Sequence, residues 1–108
     1  MTNITFYKNN EKITKMEVKG HTGKDVQGKD VLCSAISSVS QNAAVGIVEV
    51  LKLDAELKIS DGYLSLKLKK EDVDNEMAQV ILKTCLISLK EIVKNEKKYV
   101  KLEEKNEI

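Results

Sequence analysis

Apolar and polar positions alternate from the start of the chain, Ile4 and Phe6 with Thr5 and Tyr7, then Met16 and Val18 with Lys15, Glu17 and Lys19. A period of two is that of a strand with one buried face. Asn9-Asn10 between the runs reads as a turn, so the chain opens with a predicted hairpin. After Asp30 the period lengthens: Leu32, Ala35, Ile36, Val39, Ala43, Ile47, Val50 and Leu51 recur at helical spacing and predict a helix from Val31 to about Leu51. Its serines, alanines and Gly46 keep that helix slim enough to lie close against a sheet. Alternation returns in Leu53, Ala55, Leu57 and Ile59 and again in Leu64, Leu66 and Leu68, on either side of Asp61-Gly62, a second hairpin. Asp72, Asp74 and Glu76 start a second predicted helix and Lys90 and Lys94 end it, a charge order that complements the helix dipole. Its expected inner stripe is Val73, Met77, Val80, Ile81, Thr84, Leu89, Ile92 and Val93, widened by Cys85 and Ile87. Val100 and Leu102 suggest a last strand, and residues 103–108 are expected to fray.

The order ββαββαβ describes an α+β domain, a mostly antiparallel sheet with two helices. At 108 residues one domain, 1–108, is expected. No apolar run approaches the ~18 residues of a membrane span and no basic-then-apolar leader opens the chain, so a cytoplasmic protein without membrane contact is expected. Net charge is +1 and every basic residue is a lysine. Without arginine, bidentate recognition of phosphate or guanine is lost, and no direct nucleic-acid binding is expected. The second helix's apolar stripe is broader than one sheet contact needs, which suits a dimer surface.

Candidate chemistry concentrates between Gly20 and Ser37, GHTGKDVQGKDVLCSAIS. The only histidine, His21, ends the second strand, and Cys33 falls in the first turn of the first helix. Between them lies a polar loop with Gly23 and Gly28, expected to be mobile over a cleft. Asp30 is a favourable N-cap, which puts Cys33 beside unpaired N–H groups and the positive end of the helix dipole. That setting favours a thiolate and supplies donors for an oxyanion. His21 can take the thiol proton and return it to a leaving amine. Ser37, one turn beyond Cys33, shares its face of the helix. Asp30 or Asp25 is a candidate to orient His21. Cys85, among Ile81, Leu82, Leu86 and Leu89, reads as inert packing. One histidine and two dispersed cysteines form no zinc pattern, and no metal or other cofactor is expected.

Gly20, His21, Gly28, Asp30, Cys33 and Ser37 at these spacings resemble the signature of the ribosomal-processing cysteine proteases, the Prp family, and the likeness extends over nearly the whole chain. Thr22 and Ser34 stand where alanine is common in that family. The resemblance implies a small homodimeric endopeptidase with a Cys33–His21 dyad, supported by Gly20, Asp30 and Ser37. Its implied substrate is the precursor of a bacterial large-subunit ribosomal protein, trimmed of a short N-terminal extension after a pair of aromatic residues.

Two other readings compete. Gly23 to Asp30 nearly matches a phosphate-binding loop, G-x-x-x-x-G-K-[ST], but Asp30 puts a negative charge where a hydroxyl is required. A redox-sensing or interaction protein with a reactive Cys33 would need a resolving thiol, and Cys85 looks buried and remote.

Overall fold

The computed structural model describes residues 1–26 and 30–107. Strands β1 (Thr2–Asn9) and β2 (Lys12–Lys19) form the opening hairpin, and β3 (Glu56–Ser60) and β4 (Tyr63–Lys67) form the second. Helix α1 (Val31–Val45) joins the hairpins, and α2 (Glu76–Val93) leads into β5 (Val100–Asn106). The five strands make one sheet in the order β3-β4-β2-β1-β5, antiparallel except where β5 runs parallel to β1. The helices pack against each other and cover one face of the sheet. Ile4, Phe6, Met16 and Leu66 from the sheet meet Ile47, Leu82 and Leu89 from the helical layer, all 1% exposed or less.

The β1–β2 register slips between Tyr7 and Lys8, leaving Thr14 as an extra residue. Such a bulge reverses the alternation beyond it. Ile13 therefore joins Met16 and Val18 inside, although simple alternation would turn it outward. Gln79 on α2 completes this stretch: its amide accepts from Ile13 N–H (2.8 Å) and donates to Ile13 C=O (2.8 Å) and to Val73 C=O (2.9 Å). One side chain thus satisfies strand backbone on the side where the β2–β4 ladder has ended, at Lys15–Lys67.

Four expectations need correction. The second helix begins at Glu76, not near Asp72, because Asn75 caps it by accepting from Ala78 N–H (3.0 Å). Its inner face is rotated from the predicted stripe. Ala78, Gln79, Leu82, Cys85, Leu86, Leu89 and Val93 are buried, whereas Met77, Val80 and Ile87 are 64–67% exposed. Residues 103–106 do not fray. They continue β5 against β1, with Glu104 between Lys8 and Lys90 (2.6 Å to each) and Glu107 N–H donating to Lys8 C=O (2.6 Å). Both lysines hold the Glu104 carboxyl below the usual carboxylate range. Finally, α1 and the π-helical turn that extends it, Gly46–Val50, together reach the length and mean hydropathy (1.5) of a membrane span. Serines and alanines interrupt its apolar runs without adding charge, and its inner positions Leu32, Ile36, Ser40, Ala43 and Ala44 are buried in the fold.

Candidate active site

Strand β2 is followed by Gly20, whose φ of +90° is accessible mainly to glycine. A Cβ there would fall 2.5 Å from the Met1 carbonyl oxygen. Gly20 N–H donates to Gly62 C=O (2.7 Å) and its carbonyl accepts from Thr2 Oγ1 (3.2 Å). The residue before the imidazole is thereby fixed to both neighbouring strands. On the helix side, Asp30 is the N-cap, accepting from Cys33 N–H at 2.9 Å, so α1 starts where its cap predicts. These two ends bring His21 Nδ1 to 3.8 Å from Cys33 Sγ. The thiol is half-buried and the imidazole 44% exposed, so both are open to a ligand.

Asp30 joins the two ends directly. Its second oxygen accepts from Thr22 Oγ1, and Thr22 is only 3% exposed. The hydrogen bonds from Thr22 and from the Cys33 amide lower the Asp30 pKa. Thr22, which sequence reasoning treated as a small replacement for alanine, is therefore the other half of a clasp at the base of the loop; alanine could not form it. The cap also engages the Cys33 N–H, so an oxyanion would draw on the other donors of the first turn. Both Asp30 oxygens are thus engaged, by Thr22 and by the Cys33 amide, and Asp25 accepts from its neighbour, Val26 N–H, at 2.7 Å. The carboxylate beside the imidazole is Asp61, 3.6 Å from Nε2. The turn signal Asp61-Gly62 was visible in the sequence, but nothing local linked it to His21.

Gly23 has positive φ (+72°) and open space where a Cβ would stand; Gly28 lies outside the described residues. Next to Gly23, Lys24 is tethered to Glu96 (2.6 Å) and lies over the Tyr99 ring. Ser37 shares the helix face of Cys33 but its hydroxyl accepts from Gln41 Nε2 (2.9 Å). The serine that satisfies a helical carbonyl is Ser40, bonded to Ile36 C=O at 2.7 Å. Cys85 packs against Met16 Sδ (3.6 Å), and burial pushes its thiol up to about 12.

Two clefts meet at the thiol. One lies between α1 and the β3–β4 hairpin, with Val18, Ile36, Ile59 and Leu64 in its walls. The other lies between α1 and the loop, with Asp25, Ser34 and Ser38. The cleft under the hairpin carries the larger aliphatic side chains. Among the described residues there is no cluster of His, Cys, Asp or Glu suited to a metal.

A thiol in the first turn of a helix, facing an imidazole across open clefts on a small α+β sheet, has the organisation of a cysteine peptidase. The family model described as cysteine protease Prp matches residues 1–101, and the chain belongs to that family. It is 27% identical over 81 residues to the ribosomal processing cysteine protease Prp of Staphylococcus aureus, covering 75% of this chain and 76% of the relative. The crystal structure of the S. aureus protease with a covalently linked product peptide superposes with a TM-score of 0.89 at 26% identity, over 97% of this chain and 100% of that one. A Streptococcus mutans protein shares the fold at a TM-score of 0.85 and 22% identity, over 99% of this chain and 96% of that one. The protein is a cysteine protease, a hydrolase of the ribosomal-processing type.

Proposed function

We propose that this protease uses Cys33 and His21 as its catalytic dyad to remove the N-terminal extension of a large-subunit ribosomal protein precursor. The observation that carries the reading is the 3.8 Å approach of Cys33 Sγ to His21 Nδ1 at a capped helix start. Nδ1 takes the thiol proton as sulfur attacks the peptide carbonyl carbon, and donors of the α1 first turn steady the oxyanion. The C–N bond then breaks, and the imidazolium passes that proton to the departing amine. Water, deprotonated by His21, hydrolyses the thioester and regenerates the thiol. Aromatic residues preceding the cut suit the apolar cleft beneath the hairpin, where each buried side chain contributes about 1.5–3 kcal/mol. Residues 22–26 close over the opposite cleft when peptide binds; for that, the Lys24–Glu96 tether must yield or travel with them.

The test is cleavage of a peptide spanning the extension junction. The unaltered protein trims it, and Cys33→Ala and His21→Ala, with native circular dichroism, do not; turnover by either variant overturns the dyad. The active unit in this reading is a cytoplasmic homodimer, and the exposed Met77, Val80 and Ile87 of α2 supply apolar surface for a second copy. Light scattering on the purified chain should give twice 12.1 kDa, and a mass of 12.1 kDa would reject the dimer.

A further inference from the structure

The β3–β4 turn reaches the imidazole from the side opposite the thiol. Asp61 Oδ1 stands 3.6 Å from Nε2 while Nδ1 faces Cys33 at 3.8 Å, so the ring is bracketed at both nitrogens. Gly62, at φ +67°, lies against the same ring: a Cβ there would come within 2.9 Å of Nε2 and 3.3 Å of Cδ2. The turn is also fastened to the backbone that carries His21. Gly20 N–H donates to Gly62 C=O at 2.7 Å, and Lys19 pairs with Tyr63 at the end of the β2–β4 ladder. A turn needing only to reverse the chain requires none of this registration with a side chain on another strand.

We propose that Asp61 and Gly62 form the positioning element for His21. This rests on the reading of His21 as the base of the dyad. Acting through its charge at 3.6 Å, the Asp61 carboxylate favours the proton on Nε2, which leaves Nδ1 as the bare nitrogen aimed at sulfur; the partner of one ring nitrogen sets the role of the other. When the thiol proton arrives, the same carboxylate stabilises the imidazolium. Gly62 is the seat on which the ring rests, and the absence of a side chain there sets how closely the imidazole lies to the turn.

Asp61 is 78% exposed, so its contribution is that of a solvated pair. Asp61→Ala should lower kcat on the junction peptide about two- to fivefold with KM unchanged, and Asp61→Glu should restore most of it. Gly62→Ala, which drives the ring aside, should cost on the order of ten- to a hundredfold in kcat. Because Gly62→Ala also strains the turn, the deciding comparison is the Asp61 pair. His21 is the only histidine, so its Cε1–H and Cδ2–H resonances are assignable without ambiguity. In Asp61→Ala they should move or broaden while the backbone amide spectrum is otherwise retained. Unchanged kcat and unchanged imidazole resonances in Asp61→Ala overturn the proposal and leave the dyad standing. Turnover by His21→Ala overturns the dyad, and the resonances still report whether Asp61 holds the ring.

Discussion

Gly20→Ala perturbs the point where fold and chemistry are joined. The added Cβ would meet the Met1 carbonyl oxygen at 2.5 Å, well inside contact distance, and Gly20 φ is +90°. Holding a non-glycine residue at such a φ costs about 1–3 kcal/mol. If the backbone turns to escape, it gives up the bonds to Gly62 C=O and from Thr2 Oγ1, about 0.5–1.5 kcal/mol each. Met1 is 59% exposed, so the start of β1 yields before the hairpin does. Either way the cost comes to about 1–3 kcal/mol of the roughly 5–15 kcal/mol typical of a domain. His21 follows directly, and a shift of about 1 Å in a reacting group can cost on the order of a hundredfold in rate. Urea unfolding followed by circular dichroism measures the first quantity, and kcat/KM on the junction peptide at low urea measures the second. A variant within about 0.5 kcal/mol of the parent that turns over normally would refute the claim that Gly20 sets the imidazole in place.

Three further outcomes are expected. Asp30 has a lowered pKa, so its stabilisation is complete above the ordinary aspartate range and is lost as pH falls through the lowered value; acid unfolding should be shallower in Asp30→Asn, and an unchanged acid limb would reject the Thr22–Asp30 clasp. Iodoacetamide on the native protein should label Cys33 and spare Cys85, whose thiol is pushed up to about 12, and Cys85→Ala should keep full cleavage at a cost of about 1 kcal/mol in urea unfolding; loss of activity there would point to a dithiol mechanism. Gln79→Leu should destabilise by about 2–4 kcal/mol, because it strands the N–H and C=O of Ile13 in a dry interior, and a change below about 0.5 kcal/mol would mean water replaces the amide.

The hairpins and helices were legible because alternation and helical periodicity are imposed by burial on one face. Asp30 and Cys33 were legible for a different reason: a cap and the residue three places on are coupled locally. The bulge at Thr14 left no signal, since Ile13 and Met16 are both apolar whichever way the strand turns. The face of α2 was misread because Met77, Val80 and Ile87 are apolar yet exposed, and composition does not say which side of a doubly apolar helix meets the core. Gln79 escaped notice as a polar residue in a helix, though two of its three hydrogen bonds go to Ile13, on a strand 66 positions away. Asp61 was hidden likewise, because only the pairing of β2 with β4 brings the second hairpin's turn under His21.

The parallel pairing of β5 with β1 gives the two chain ends opposite surroundings. Thr2 lies opposite Val100 at the His21 end of the sheet, whereas Asn106 lies opposite Lys8 at the far end, beside the first hairpin turn. An affinity tag fused ahead of Met1 would emerge next to the working clefts, crowding substrate or offering itself as one. Attached beyond Asn106, the same tag would leave from the remote edge, some 20 Å along the strand direction, and immobilisation through it would present the His21 end to solution.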